Sequence, residues 1–145
     1  MFSFSPLSLA VSRNALPLLV SFTILTTLIH FSQSSRSFPG VTDVSVPEAV
    51  ALIDAGALVI DVRGRAASAS AHLPGALLIP VEVLAARLPE LEHAKAQSIV
   101  VYCGKGTARG PEAVHILSQA GFTGVVNLGP GIEGWRAARL PVTAS

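Results

Sequence analysis

Cysteine is nearly absent from this sequence: Cys103 is the only one in 145 residues. A single cysteine excludes an intramolecular disulfide framework. The four histidines are spread along the chain and show no zinc-ligand spacing with Cys103 (His30, His72, His93 and His115). We therefore expect no metal site and no cofactor, and the apolar core has to hold the fold.

Charge is also scarce, since Lys, Arg, Asp and Glu make up 13% of the chain. Ten basic residues against nine acidic ones give a formal net charge of +1, with no basic cluster. A nucleic-acid-binding surface needs such a cluster, so DNA and RNA are excluded as primary partners. Half of the residues are hydrophobic, which suffices for one domain with a core and excludes a disordered chain.

The N-terminal part contains an uncharged stretch of 22 residues, from Asn14 to Ser35. As a helix it would be about 33 Å long, enough to cross a hydrocarbon core of about 30 Å. We predict a transmembrane or signal-anchor helix at 15–31, between an N-terminal flank at 1–14 and a linker at 32–40. A cleaved secretory signal and a buried core helix are the alternatives. The anchor implies a single-pass membrane protein, and its flanking charges slightly favour a domain outside the cytoplasm.

Residues 41–145 alternate between helical and strand patterns. Ser45-Val46-Pro47-Glu48 matches a capping box at the start of a helix that Gly56 would end. Apolar runs predict four strands, at 57–62, 76–79, 98–102 and 125–128. Three further helices are predicted: 81–91, which Pro89 should end early, Pro111 to Gly121, and a short helix through Trp135. This alternation predicts a single α/β domain with a parallel sheet and helices on both faces.

Cys103 stands between a predicted buried strand and a predicted helix, where open parallel sheets bind their ligands. The intervening loop is rich in glycine, so its backbone N–H groups could converge on one point. Such groups stabilise an anion such as a thiolate, and two basic side chains add positive charge. We interpret Cys103 as a catalytic nucleophile beside an anion-binding cradle formed by Gly104, Lys105, Gly106, Thr107, Ala108 and Arg109. The alternative is an inert buried cysteine.

Six short blocks follow one another along the domain: Val59-Ile60-Asp61-Val62-Arg63, His72-Leu73-Pro74-Gly75-Ala76, Val101-Tyr102-Cys103, Ala120-Gly121-Phe122, Gly131-Ile132-Glu133-Gly134-Trp135 and Leu140-Pro141-Val142. With these blocks the domain resembles a rhodanese homology domain. The resemblance implies a sulfurtransferase in which Cys103 takes sulfur from thiosulfate or a similar donor anion. A persulfide on Cys103 would then pass the sulfur to a thiol or cyanide acceptor.

The segment between the first two blocks departs from that family. Ala67 and Ser68 stand where the family commonly has an acidic and then an aromatic residue, and Ala71 stands where it commonly has glycine. We therefore expect Arg63 to lack its customary ion-pair partner. Three side chains are assigned to structural support: Asp61 as a loop-capping carboxylate, Arg63, and His72 as a turn-organising residue.

The spacing around Cys103 leaves a second interpretation open. Cys103 and Arg109 bracket five residues, which resembles the Cys-x5-Arg loop of related phosphatases and arsenate reductases. Tyr102 departs from the histidine that precedes the cysteine in those enzymes, whereas residues 103–107 resemble the active loop of two-domain sulfurtransferases. A third interpretation is a non-catalytic binding module built on the same fold.

Overall fold

The computed structural model of the chain describes residues 38–145. In chain order these residues form β1 (Asp43–Val44), α1 (Val46–Asp54), β2 (Leu58–Asp61), α2 (Arg65–Ser70), β3 (Leu77–Leu78), α3 (Val81–Arg87), a 3-10 helix (Leu88–Ala94), β4 (Ser98–Tyr102), α4 (Arg109–Gln119), β5 (Gly124–Leu128) and α5 (Gly131–Ala137). The predicted anchor at 15–31 lies outside the described residues. Within residues 38–145, every helix is too short or too polar to cross a membrane.

The five strands form one parallel sheet in the order β1-β5-β4-β2-β3. Buried side chains cover both of its faces. On one face, α3 and α4 contribute Leu84 and Leu117 to the core. On the other face, α1 and α5 contribute Ala49, Ile132 and Trp135. The predicted α/β class, with a parallel sheet and helices on both faces, is confirmed.

Local sequence accounts for several boundaries of these elements. The Ser45 hydroxyl accepts from the N–H of Glu48 at 3.4 Å, and Glu48 Oε2 accepts from the N–H of Ser45 at 2.7 Å, which completes the predicted capping box of α1. Pro89 has no N–H to donate to a preceding turn, and α3 ends at Arg87 as a 3-10 helix takes over. β4 has the bounds that its apolar run predicts.

Two elements and one helix start differ from the prediction. The sequence pattern does not predict β1 and α2, because β1 has two residues and α2 buries only Ser68. The helix predicted to begin at Pro111 begins at Arg109. Arg109 therefore belongs to the first turn of α4, and the loop that precedes it consists of residues 103–108.

The chain leaves the neighbouring strands β4 and β5 toward opposite faces of the sheet. β4 leads into α4 on one face, and β5 leads into α5 on the other. Such a reversal opens a crevice beyond the carboxyl ends of the two strands, where open α/β sheets bind their ligands. The first residue after β4 is Cys103.

Candidate active site

Cys103 lies at this crevice, with 5% of its surface exposed and its thiol free of any disulfide. Its Sγ accepts a hydrogen bond from the backbone N–H of Gly106 at 3.2 Å. The loop therefore turns back over the sulfur and presents a backbone donor to it. A hydrogen bond to an ionised acceptor is stronger than one to a neutral acceptor, and the Gly106 N–H stands where it would donate to a thiolate.

Two backbone contacts hold the start of the loop against α5. The N–H of Ile132 donates to the Cys103 carbonyl at 3.0 Å, and the N–H of Glu133 donates to the Gly104 carbonyl at 3.1 Å. Gly131 precedes them with φ +61°, and a Cβ at this position would collide with the Gly104 carbonyl oxygen. The N-terminal turn of α5 is thus the platform on which the loop rests.

Gly106 is buried, as Cys103 is, whereas the other residues of the loop are exposed or partly exposed. Its φ is +75°, and a Cβ would collide with the carbonyl of Gly129. Its own carbonyl accepts from Nδ2 of Asn127 at 2.8 Å. Glycine is therefore required at this position both by conformation and by packing.

The outer side of the loop borders an open cleft of about 400 Å³. Its lining consists of Cys103, Gly104, Lys105, Thr107, Ala108 and Arg109. The fold thus brings the predicted nucleophile and the cradle residues together at the cleft. Gly106 is the exception, because it is buried on the inner side of the loop. None of the ion pairs within residues 38–145 involves Lys105, so its charge is available to an anion in the cleft.

Arg109 is the second cation at the cleft, and it has an acidic neighbour. Its Nε lies 3.4 Å from Oε1 of Glu82 on α3, with side-chain exposures of 52% and 57%. An ion pair this exposed contributes little to stability. Sequence reasoning missed Glu82, because nothing in the sequence places α3 beside the start of α4.

A buried polar network joins the carboxyl ends of β2 and β4. Arg63 donates from Nε to Asp61 Oδ1 at 3.0 Å and from Nη2 to Asp61 Oδ2 at 2.7 Å, and Nη2 also donates to the Ala71 carbonyl. Arg63 has no acidic residue at Ala67 or Ser68 to pair with, as expected, but it is not without an ion-pair partner, because Asp61 serves instead. The Tyr102 hydroxyl donates to Asp61 Oδ2 at 2.9 Å and accepts from the N–H of Leu73 at 3.0 Å.

The charge state of this network follows from its contacts. Burial by itself would raise the pKa of Asp61, but hydrogen bonds from Arg63 and Tyr102 outweigh it and hold that pKa below its usual value. Burial opposes the charge of Arg63, yet its bonds to Asp61 leave the guanidinium pKa raised. Burial raises the pKa of Tyr102 well above its ordinary value. Near neutral pH the pair is ionised and the phenol neutral, so the network supports the strand ends and carries no titrating group.

His72 is absent from the residues that line the cleft. Its Nδ1 lies 2.9 Å from the Ser68 carbonyl, so Nδ1 carries the proton and donates it. The backbone of His72 pairs with Thr143 through two hydrogen bonds of 2.8 and 2.9 Å. The ring borders a separate cavity of about 450 Å³ beside Arg65. These contacts tie the segment between α2 and β3, in which His72 lies, to α2 and to Thr143.

Sequence reasoning also missed Tyr102 and Asn127 as parts of the site. Asn127 carried a signal, because it is the polar residue in the apolar run Val125-Val126-Asn127-Leu128, and it is fully buried. Tyr102 carried none beyond its place before Cys103. Within residues 38–145, no cluster of three His, Cys, Asp or Glu side chains could hold a metal ion.

Comparison with protein families matches residues 45–138 to the family described as rhodanese-like domain. A sulfurtransferase of Allochromatium vinosum is 36% identical over 87 residues, which cover 60% of this chain and 78% of that protein. The human thiosulfate:glutathione sulfurtransferase is 33% identical over 110 residues, covering 66% of this chain and 94% of that protein. Arsenate reductase 2.1 of Oryza sativa subsp. japonica is 28% identical over 123 residues, covering 77% of each. Of three other bacterial relatives, 35% to 42% identical, the chain spans only 36% to 60% of the length.

Solved structures show the same likeness. The human single-domain sulfurtransferase TSTD1 superposes with a TM-score of 0.60 and 32% identity, over 68% of this chain and 97% of that one. A rhodanese-related protein from Thermoplasma volcanium gives a TM-score of 0.65 and 26% identity, over 72% and 99%. The matched region is nearly the whole of each of these chains.

Proposed function

The chain belongs to the rhodanese-like domain family, and on this premise we propose that it is a sulfurtransferase in which Cys103 carries sulfur as a persulfide. Two relatives that are themselves sulfurtransferases support the reaction class. The proposed donor is thiosulfate or a similar small anion, and the proposed acceptor is a thiol or cyanide.

One observation carries the proposal: the Gly106 N–H donates to Cys103 Sγ at the edge of a cleft that two cationic side chains border. The donor would face a thiolate, which is the nucleophilic form of cysteine. Lys105 and Arg109 attract an anion such as thiosulfate to that thiolate. Backbone N–H groups of the loop complete the cradle, because such groups bind anions where a loop leads into a helix.

The reaction balances without an external oxidant or reductant. The Cys103 thiolate attacks the outer sulfur of thiosulfate, the S–S bond of thiosulfate breaks, and sulfite leaves with the electron pair. A thiolate or cyanide acceptor then attacks the outer sulfur of the Cys103 persulfide, and Sγ leaves as a thiolate. The products are sulfite and either an acceptor persulfide or thiocyanate. The Gly106 N–H faces Sγ both as the nucleophile of the first step and as the leaving group of the second.

Intact mass measurement after incubation with thiosulfate tests this proposal. We expect one added sulfur atom on the parent protein and none on Cys103→Ser, which changes the side-chain volume little but cannot hold a persulfide. Thiosulfate:cyanide transfer should be lost in the same variant. A parent protein that gains no sulfur and transfers none would contradict the proposal and favour a non-catalytic module.

Oxyanion chemistry on the same loop is the second candidate, and the similarity to an arsenate reductase favours it. In a Cys-x5-Arg mechanism the planar guanidinium of Arg109 would bind a tetrahedral oxyanion through hydrogen bonds to two of its oxygens. Lysine cannot form this bidentate pair. Glu82 partly offsets the positive charge of Arg109, whereas Lys105 is in no ion pair among residues 38–145. This difference favours Lys105 as the main steering charge for thiosulfate.

We therefore expect Lys105→Ala to raise the KM for thiosulfate more than Arg109→Lys does. Steady-state kinetics of both variants, with thiosulfate as the varied substrate, provides the measurement. Phosphatase or arsenate reductase turnover that disappears in Arg109→Lys, in a parent protein without sulfur transfer, would decide for the second candidate.

We further propose that residues 15–31 anchor the protein in a membrane as a single pass, with the domain outside the cytoplasm. The support is the uncharged stretch from Asn14 to Ser35 and the charges that flank it.

A further inference from the structure

Asn127 is a fully buried polar side chain near the carboxyl end of β5, between the edge strand β1 and β4. Its Nδ2 donates to two acceptors: Oδ1 of Asp43 at 2.7 Å and the carbonyl of Gly106 at 2.8 Å. The Asp43 contact lies toward the exposed edge at β1, whereas the Gly106 contact is buried beneath the active loop. The buried amide of Asn127 therefore depends on the Gly106 carbonyl for one of its two hydrogen bonds.

The orientation of this amide is fixed. Turning it over would set Oδ1 against two oxygen acceptors, which repel it. In the observed orientation Oδ1 has no hydrogen-bond partner within residues 38–145. It faces Gly110, where a Cβ would collide with it. This orientation makes both donor contacts and leaves Oδ1 without a partner; of the two contacts, the one to Gly106 reaches the active loop.

The bond from Asn127 sets the direction of two loop N–H groups. Because a peptide is planar and trans, a Gly106 carbonyl that points into the core directs the N–H of Thr107 the opposite way, toward the cleft that Thr107 lines. The left-handed conformation of Gly106, held between Asn127 and the Gly129 carbonyl, aims the Gly106 N–H at Cys103 Sγ. One side-chain amide thus orients a donor to the sulfur and a donor to the cleft.

We propose that Asn127 is a positioning residue for the Cys103 thiolate, acting through the peptide of Gly106. For turnover this inference rests on the proposed sulfur transfer, but its effect on the thiolate does not. Asn127→Val suits a buried strand and removes the unsatisfied Oδ1, so we expect it to fold. Asn127→Val loses the hydrogen bonds to both Asp43 and Gly106. Asp43→Ala loses only the bond between Asn127 and Asp43 and is therefore the matched control.

The experiment measures the rate at which iodoacetamide alkylates Cys103, which is the only thiol in the chain. At neutral pH we expect alkylation of Asn127→Val to be about tenfold slower than that of the parent, because a hydrogen bond to a charged group is lost. Alkylation of Asp43→Ala should stay within about twofold of the parent, because this variant keeps the bond from Asn127 to Gly106. Equal rates in the parent and a folded Asn127→Val, or an equal loss in Asp43→Ala, would overturn the proposal.

Two further measurements keep the inference independent of folding and of the proposed function. In the parent protein, NMR should show the Asn127 side-chain amide protons protected from solvent exchange, and free exchange would overturn the proposal even if Asn127→Val does not fold. If the parent gains no sulfur from thiosulfate, the proposed sulfur transfer is contradicted. The comparison of alkylation rates still tests the role of Asn127 in that case. If the parent gains sulfur, Asn127→Val should form its persulfide about tenfold more slowly.

Discussion

At the scale of single residues, Asp61 shows how a buried charge can be retained near a site without taking part in its chemistry. Its two carboxylate oxygens accept from the backbone N–H and the guanidinium of Arg63 and from the Tyr102 hydroxyl. Burial of a carboxylate is tolerated only when such partners are complete. Tyr102 therefore belongs to a scaffold that fixes the end of β4, immediately before Cys103.

Asp61→Asn is expected to lower the free energy of unfolding by about 3 to 5 kcal/mol at neutral pH, because Arg63 is left as a buried charge without its counter-ion. Folding lowers the pKa of Asp61 below 3.8, so its ionised form stabilises the folded state above about pH 4. That contribution is lost as the pH falls through the folded-state pKa. The difference between parent and variant should therefore shrink on acidification below about pH 4. Urea denaturation of parent and variant, followed by Trp135 fluorescence, measures this difference in the free energy of unfolding. A difference that does not change with pH would contradict the conclusion that ionised Asp61 stabilises the fold.

At the scale of elements, the first turn of α4 is shaped by β5 rather than by helix propensity. Gly110 is buried there, and its Cα faces Asn127 Oδ1 so closely that no Cβ fits. Glycine in a helix normally lowers stability relative to alanine by about 1 kcal/mol. The packing of α4 against Asn127 reverses that preference.

We expect Gly110→Ala to lower the free energy of unfolding by about 1 to 3 kcal/mol, because the added methyl group overpacks the core. The same change should slow Cys103 alkylation, since it displaces the Asn127 amide from Gly106. Gly64→Ala is the matched control: a Cβ at Gly64 meets nothing within 4 Å. Denaturation and alkylation of both variants provide the measurement, and a stabilised Gly110→Ala would show that the contact with Asn127 is not rigid.

At the scale of the whole molecule, the order of the strands in the sheet determines where the loop that begins at Cys103 lies. Because the chain leaves the parallel strands β4 and β5 toward opposite faces of the sheet, a crevice opens in which the loop after β4 rests on the start of α5. Among residues 38–145, the two apolar clusters that form the core extend from Val41 to Val142.

A chain that begins at Phe38 should therefore fold as a soluble domain with the thiol reactivity of the full-length protein. The full-length chain should partition with membranes and resist extraction by alkali, because residues 15–31 would span the hydrocarbon core. Fractionation and alkylation of both forms test this. An insoluble shortened form would indicate that the removed segment belongs to the core, and a full-length protein in the soluble fraction would contradict the anchor.

The sequence by itself determined the features that depend on neighbouring residues. The bounds of β4, the capping box at Ser45, the early end of α3 at Pro89 and the place of Cys103 after a buried strand all follow from local pattern and turn chemistry. The α/β class follows from the alternation of these patterns along the chain.

Only the tertiary structure decided which distant groups meet. Tyr102 reaches Asp61 across 41 residues, and Asn127 reaches Gly106 across 21. Glu82 meets Arg109 because α3 and α4 share one face of the sheet. The physical reason is that hydrogen bonds and ion pairs act over a few ångströms, whereas the order of strands that brings their partners within reach is set by burial of the whole apolar core.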